Sequence, residues 1–453
     1  MMKVAILGYG IEGKSAYEYF SKYYPKYEVD VFDENSIEDK KLKVTKVNNM
    51  LDIDYSSYDM IVRSPSVGPP FLPDSEDPPF HDLYHKIRFD RNNEDNFNLT
   101  SLTKIFFDKC PAKIVGVTGS KGKGTTASFI SEILKTSGKK VHLLGNIGAP
   151  ALDVLPKIKK DDIVVYELSS FQLWDMVKSP HVAVVTMLEA DHLEVHKDFN
   201  EYILAKMNIL FWQKADDFAF MHKKTYQTFE KEYNEHSSIL LAERKLDGQL
   251  TLIPRDNDWY EGLHKLAQNN PLPGEHNVRN AELAILASRA IDSNLTDEQI
   301  IEGLQNFGGL PHRLKFVAEK NGVKYYDDSI ATTPGSAIAA IKSFKEHKIL
   351  ILGGHDKGAD YGVIAGPANE FGVQKIFAIG DNREKVAKQV GEKFKGEISI
   401  LASREMDDIV KTIASSARAG EVVIMSPAAA SFDMFKNYKD RGEQFVDAVN
   451  KLP

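Results

Sequence analysis

Val115-Gly116-Val117-Thr118-Gly119-Ser120-Lys121-Gly122-Lys123-Gly124-Thr125-Thr126 is the stretch on which the reading of this chain turns. The apolar run over 114–117 predicts a buried strand. The segment after it, Ala127-Ser128-Phe129-Ile130-Ser131-Glu132-Ile133-Leu134, carries apolar residues four apart and predicts a helix that stops near Gly138. Between them lies a glycine-rich turn. Glycines let backbone N–H groups close around phosphate oxygens, a lysine adds a mobile positive charge, and the helix N-terminus aims its partial positive charge at the same place. Such a strand–loop–helix binds a nucleoside triphosphate, and Gly119, Ser120, Lys121, Gly122, Lys123, Gly124, Thr125 and Thr126 are its candidate ligands. The general pattern wants Ser or Thr directly after the lysine, for Mg²⁺. Gly124 stands there instead, so Thr125 or Thr126 has to supply that hydroxyl.

Toward the N-terminus a second glycine turn follows a strand. Lys3-Val4-Ala5-Ile6-Leu7 leads into Gly8-Tyr9-Gly10-Ile11-Glu12-Gly13, a helix through Tyr19 and Phe20, and a strand Val29-Asp30-Val31-Phe32 that ends at Asp33. This spacing matches a dinucleotide fingerprint, with the acidic residue about 20 positions after the last glycine. A glycine turn on a helix N-terminus accepts any diphosphate, so NAD, FAD and a UDP-sugar are all compatible. Tyr58 to Val62 then predicts a strand ending in Arg63-Ser64-Pro65-Ser66-Val67-Gly68, and residues 71–104, rich in Pro, Asp, Asn and His, predict an irregular connection and a domain boundary.

The 453 residues allow about three domains of ~150 residues, and a hydrophobic content of 42% can fill their cores. A net charge of −8 without a basic block argues against nucleic acid as a partner. The single cysteine, Cys110, excludes an intramolecular disulfide and is expected to be a buried, inert thiol in a reducing compartment. No apolar run approaches the ~18 residues of a membrane span, and the chain opens directly on a strand; a cytoplasmic protein without a membrane partner is expected.

The central segment continues as alternating strands and helices, which predicts a mostly parallel sheet with ligands at the carboxyl ends of its strands. Chemistry falls at those ends: Gly145-Asn146-Ile147-Gly148 after 141–144, Glu167-Leu168-Ser169-Ser170-Phe171-Gln172 after 163–166, and Glu189-Ala190-Asp191-His192 after 182–188. A carboxylate at Glu167 and an imidazole at His192 near a phosphate loop suit a divalent cation. In the next helix Phe199, Tyr202, Ile203, Ile209 and Leu210 form an apolar stripe with Lys206 inside it. Lys206 either snorkels to solvent or points inward, where desolvation lowers a lysine's pKa and lets it react, with CO₂ for example. Residues 214–268 look less regular. Asn277 and Asn280, three apart at the start of an Ala/Leu-rich helix, either read a nucleobase or cap the helix.

A third segment begins near Gly309-Leu310-Pro311-His312-Arg313. Apolar runs at 349–352, 376–379 and 422–425 predict another parallel α/β unit. They end in Gly353-Gly354-His355-Asp356-Lys357, in Gly380-Asp381-Asn382 and in Ser426-Pro427-Ala428-Ala429-Ala430-Ser431-Phe432-Asp433. Upstream, the stretch from Tyr325 through Asp328 and Ser329 to Ser336 predicts a polar turn before a helix.

Taken together, the Thr118 loop, Gly145-Asn146-Ile147-Gly148, the Glu167 to Leu173 run, Asp191-His192-Leu193, Ala205-Lys206, His276-Asn277 with Asn280, Leu310-Pro311-His312-Arg313, Asp328-Ser329 and the stretch from Ser426 to Lys436-Asn437-Tyr438 resemble the Mur ligases. These are ATP-dependent amino-acid-adding enzymes of peptidoglycan synthesis. The resemblance covers nearly the whole chain and implies an α/β protein of three domains: a Rossmann-like UDP-binding domain (1–104), a central P-loop ATPase domain with a mostly parallel sheet (105–308), and a Rossmann-like amino-acid-binding domain (309–453). It implies UDP-substrate contacts at Gly8, Gly10, Ile11, Glu12, Asp33 and Asn146, and ATP contacts at Asn277, Asn280, Arg313 and Asp328 besides the loop. Lys123, Glu167, His192 and Lys206 would be catalytic. Mg²⁺ or Mn²⁺ would be held by Thr125, Glu167, His192 and a carbamate on Lys206. Lys357, Ser431 and Tyr438 would meet the incoming amino acid. The implied substrates are UDP-N-acetylmuramoyl-L-alanine and glutamate, and the implied state is a monomer.

Three positions depart from the family pattern. Gly124 resembles the folylpolyglutamate synthase branch, whose loop reads G-x-K-G-K-G; Ser64-Pro65-Ser66-Val67-Gly68 replaces S-P-G; and Ile330 stands where D-S-K-A-T has lysine. A folate ligase and a non-catalytic nucleotide-binding homologue are therefore the alternative readings. The N-terminal Gly8-Tyr9-Gly10 segment and the Ser426 to Tyr438 motif oppose the folate one, and a dehydrogenase would leave the phosphate loop unexplained.

Overall fold

The computed structural model describes residues 1–34, 50–67, 98–145, 149–193, 195–236, 248–253 and 258–453. Two compact units emerge, one made of 1–269 with 279–304 and the other of 270–278 with 305–453.

The first unit holds two sheets. In one, β1 (Lys3–Leu7) pairs in parallel with β2 (Glu28–Phe32) and β3 (Met60–Arg63), and β3 pairs with β4 (Leu99–Ser101), giving the order β2-β1-β3-β4. Register sets Leu7 level with Phe32 and Arg63, so the Gly8 turn, Asp33 and the Ser64 loop emerge side by side. The 98–104 part of the expected irregular connection is regular: β4 runs directly into the helix Leu102–Lys109, capped by the Ser101 hydroxyl, and the expected boundary at 104 falls inside that helix. Leu102, Ile105 and Phe106 are buried there, and burying that face makes the segment helical.

The second sheet is all parallel: β5 (Lys113–Thr118), β6 (Val141–Leu144), β7 (Ile163–Glu167), β8 (Val182–Val185), β9 (Phe218–His222) and β10 (Gln249–Ile253), in the order β10-β9-β8-β5-β7-β6. β5 is buried from Ile114 to Thr118, as a strand covered on both faces must be, and the strand order reverses around it. Such a switch point opens a crevice at the carboxyl ends. There Val117 lies level with Glu167, and Thr118 with Val185. The expected strand to residue 188 stops at Val185, because Thr186 turns back to bond the loop, its hydroxyl donating to Lys121 O at 2.7 Å.

The 214–268 region, expected to be less regular, contributes β9, the helix Lys223–His236, β10 and the helix Asp258–Ala267. β9 is an interior strand of the sheet, next to the edge strand β10, with Ala219, Phe220 and Met221 buried.

In the second unit, β11 (Lys315–Lys320) and β12 (Val323–Asp327) form an antiparallel hairpin at the edge of a sheet otherwise parallel. β13 (Lys348–Gly353), β14 (Val373–Ile379), β15 (Glu397–Ile400) and β16 (Val422–Met425) complete the order β11-β12-β16-β13-β14-β15. Tyr325, Tyr326 and Asp327 therefore end a strand rather than form a polar turn, since Tyr325 is buried against β16. No helix among the described residues is long and apolar enough to cross a membrane.

Candidate active site

The turn after β5 takes its shape from glycine. Gly122 caps the helix Lys123–Thr136 at φ 90°, and a Cβ there would overlap the amide oxygen of Asn280. The Lys123 ammonium folds over the turn and donates to Gly119 O and Ser120 O, both at 3.0 Å. Ser120 Oγ donates to Glu189 O at 2.7 Å and accepts from Tyr202 OH at 3.0 Å, while Lys121 Nζ lies 2.9 Å from Glu189 Oε2. The loop is thus braced before any ligand arrives, and its lysine and helix N-terminus face one space.

That space is a cavity of about 430 Å³ lined by Lys123, Ser169, Ser170, Phe171, Gln172, His192, Val195, Tyr202 and Lys206, and by Glu12, Pro65 and Ser66 from the first sheet. Lys206 is 1% exposed and its ammonium sits 4.5 Å from the centre of the Tyr202 ring, so it points inward rather than snorkelling. Burial, together with the charge of Lys123, pushes its pKa well below that of an ordinary lysine, although Asp191 and Glu167 pull the other way. Glu167 is buried at the end of β7. His192 has φ 55° and packs its ring edge-on to Phe171 at 5.1 Å.

Among the described residues no group of three or more His, Cys, Asp or Glu side chains converges to hold a metal. The loop instead offers hydroxyls. Thr125 and Thr126 are buried in the first turn of the helix, and Thr126 Oγ1 has no hydrogen-bond partner among the described residues. One or two protein oxygens with a nucleotide's phosphates and water is the donor set that Mg²⁺ prefers, so the residues fit that ion.

On the first sheet Glu12 Oε1 accepts from Gln172 Nε2 at 2.9 Å, and Oε2 is buried with no partner among the described residues. Burial lifts the Glu12 carboxyl to about 7, against the hydrogen bond from Gln172 and the charge of Arg63. Asp33 Oδ2 accepts from Tyr9 N at 2.6 Å, which shapes the turn; Gly10 begins the helix Ile11–Tyr23, whose first side chain, Ile11, is 80% exposed. Asn146, Ile147, Gly148 and Gly68 lie outside the described residues.

Asn277 Nδ2 donates to Pro273 O at 2.7 Å, which ties the first turn of its helix, Glu275–Ile291, to the segment before it. In the second unit Asp328 accepts from Leu314 N at 3.1 Å and Ser426 Oγ at 2.7 Å, and burial raises its carboxyl to about 7. Arg313, exposed and directly before Leu314 in sequence, opposes that rise with its charge. Ser329 Oγ donates to Tyr438 O and accepts from Arg441 Nε, which ties the Asp328 turn to the helix Tyr438–Asn450. Lys357 Nζ lies 6.0 Å from the Phe432 ring, next to buried Ser431.

Sequence reasoning missed Tyr202 as a partner of the loop, Arg441, and Asp175, which pairs with Arg63. Tyr202 stood in the Lys206 stripe and could have been found there. Arg441 and Asp175 carry no local pattern.

Similarity to known proteins shows the family. Residues 117–288 match the Mur ligase middle domain and 312–429 the Mur ligase glutamate ligase domain. The UDP-N-acetylmuramoylalanine–D-glutamate ligase of Acetivibrio thermocellus is 36% identical over 474 residues, covering 99% of this chain and 96% of that protein. The enzyme of the same name from Clostridium tetani is 34% identical over 464 residues, with 99% and 97% covered. Among solved structures, the Thermotoga maritima MurF ligase in complex with ADP has a TM-score of 0.57 at 16% identity over 99% of this chain and 94% of that one, and a Mycobacterium tuberculosis folylpolyglutamate synthase has 0.52 at 15% over 76% and 95%. At those identities the structures share a fold, whereas the curated relatives are more than one third identical over 99% of the chain, and two Mur ligase domains match within it: the chain belongs to the Mur ligase family.

Proposed function

We propose that this chain is an ATP-dependent ligase that joins D-glutamate to UDP-N-acetylmuramoyl-L-alanine through an acyl phosphate. The observation that carries the reading is the cavity in which Lys123 and Lys206 face Glu12 and Ser66, so that the nucleotide loop and the first glycine turn open on one space. The first sheet would hold the UDP end of the acceptor through Gly8, Gly10, Ile11, Glu12 and Asp33, and its alanyl carboxylate would enter that space.

A carboxylate oxygen of the acceptor attacks the γ-phosphorus, ADP leaves, and the amine nitrogen of the amino acid then attacks the acyl carbon. Phosphate departs and the amine gives up its proton. Phosphoryl transfer asks the protein mainly for position and charge neutralisation. Lys123 sits on the phosphate side, and Lys206 is close enough in field to feel both Lys123 and Glu167. Mg²⁺ held by Thr125 or Thr126 and Glu167 would add neutralisation of the phosphate oxygens. Asn280 against the loop, with Asn277, Arg313 and Asp328, is proposed to serve ATP, and Lys357, Ser431 and Tyr438 the amino acid.

Phosphate release that requires UDP-N-acetylmuramoyl-L-alanine and D-glutamate together tests the reading. Release that needs a folate acceptor instead, or none with either, overturns it.

A further inference from the structure

Arg63 ends β3 and is 1% exposed, and its Nε, Nη1 and Nη2 all bond to protein groups. Nη1 donates to Val67 O at 3.1 Å and Nη2 to Phe171 O at 3.0 Å. Nη2 also pairs with the Asp175 carboxylate, which Lys104 approaches from the other side at 2.9 Å. Burial alone would raise Asp175; the charges of Arg63 and Lys104 overcome it and hold the carboxyl at about 2. The arginine therefore bridges two backbone segments from different sheets. Pro65 and Ser66, just before Val67, line the cavity on one side, and the run from Ser169 to Gln172 lines it on the other. The Glu12 to Gln172 hydrogen bond is a second tie across the same seam.

We propose that Arg63 is a positioning residue for the reaction: by binding Val67 O, Phe171 O and Asp175 at once, it sets the acceptor-side wall of the cavity against the nucleotide-side wall. This rests on the function proposed above. A planar fork with several donors in fixed directions suits that task, and a lysine does not replace it. Buried ion pairs contribute little net stability, so a triad kept at this seam is better understood as specifying geometry. The phosphate loop is braced separately, by Glu189, Thr186 and Tyr202. Loss of Arg63 thus leaves the nucleotide's own binding intact.

The test uses the full-length chain with Arg63→Met, Arg63→Lys and the double variant Arg63→Met/Asp175→Leu, which removes both charges so that Asp175 is not left unpaired, while Lys104, 19% exposed, turns to water. The expected result is an ATP Kd within about twofold of the parent and a kcat lower by about 10- to 100-fold, the cost of roughly an ångström of misplacement. Arg63→Lys falls between. Folded variants with parental kcat and KM for the acceptor, or an ATP affinity that falls in step with kcat, overturn the proposal. If the parent chain itself does not turn over, the function fails separately, and hydrogen exchange decides the inference: faster exchange over 169–172 in Arg63→Met supports it, and unchanged exchange overturns it.

Discussion

The amide oxygen of Asn280 occupies the place that a Cβ on Gly122 would need. Gly122 also sits at φ 90°, so the residue is required twice, once for the backbone and once for the helix residue packed on it. Gly122→Ala is expected to cost at least about 1–2 kcal/mol from the backbone alone, and to lower ATP affinity by about tenfold or more as the turn shifts off Asn280. Thermal unfolding and nucleotide titration check it; parental values in both would show that the turn tolerates a side chain.

Lys123 holds its own loop closed through Gly119 O and Ser120 O. In the reaction proposed above those bonds would be exchanged for bonds to phosphoryl oxygens. Lys123→Ala should fold, because the loop keeps its Thr186 and Tyr202 ties, and should lose about 10²–10³ in turnover, as removal of one preorganised charge partner does. Near-normal turnover in the folded variant would sink the assignment.

Burial that lowers a lysine's pKa makes its amine more available as a nucleophile, and Lys206 is pushed in that direction in a cavity it shares with Lys123. If its working form is a carbamate, removing CO₂ from the buffers lowers activity and bicarbonate restores it. Lys206→Met should be about 10²-fold slower and indifferent to bicarbonate. A parent enzyme that is equally indifferent refutes the carbamate.

What could be read in advance follows from where the information lies. β1 (Lys3–Leu7) and β16 coincide with their apolar runs, and β5 extends its run by one residue at each end, because each is an interior parallel strand and its burial is written locally; β6 coincides with its run although it is an edge strand, since Val141-His142-Leu143-Leu144 is itself nearly all apolar. β10 and β15 were missed, being half-buried edge strands without a continuous apolar run. β9 was missed for another reason: Phe218-Ala219-Phe220-Met221 is an apolar run, but five residues flanked by charged helix look like a helix end until the sheet is assembled. The phosphate loop was legible from spacing, whereas the spacing put Lys206 in an apolar stripe and left open whether it snorkels or turns inward, as it does. The Arg63 to Asp175 pair was not, since 112 residues separate them and only the docking of two sheets joins them.

Glu12 gives the chain a pH-dependent stability of a definite sign. Its carboxyl rises from 4.5 to about 7, mainly by burial, so the folded state holds the proton more tightly than the unfolded chain does. The stability this lends is complete below about pH 4.5 and drains away as pH climbs through about 7. Glu12→Gln keeps an oxygen for Gln172 Nε2 and removes the titration. Relative to the parent it should gain about 1–3 kcal/mol between about pH 5 and about pH 8.5, less to the extent that solvent enters the cavity. Denaturant melts at the two pH values measure the gain; a constant offset would mean that Glu12 does not titrate in this range.

Ile330 bears on which amino acid is added. It is half-buried in the turn after β12, its N–H bonded to His312 O at 3.1 Å, directly after the Ser329 that Arg441 holds. In the family resemblance this position is a lysine close to the side-chain carboxylate of glutamate, where one charge-assisted hydrogen bond is worth about 1.5–3 kcal/mol, or about 10- to 150-fold in affinity. Isoleucine cannot make that bond. Lys357, Ser431 and the backbone are then left to hold glutamate, so Ile330→Lys is expected to lower the KM for glutamate. If the amino acid used has no side-chain carboxylate, the same substitution should instead impair catalysis with it, by burying an unpaired charge. The kcat/KM for D-glutamate, L-glutamate and the best rival amino acid, measured in both proteins, separates the two. A substitution that changes none of these values places Ile330 outside the amino-acid site.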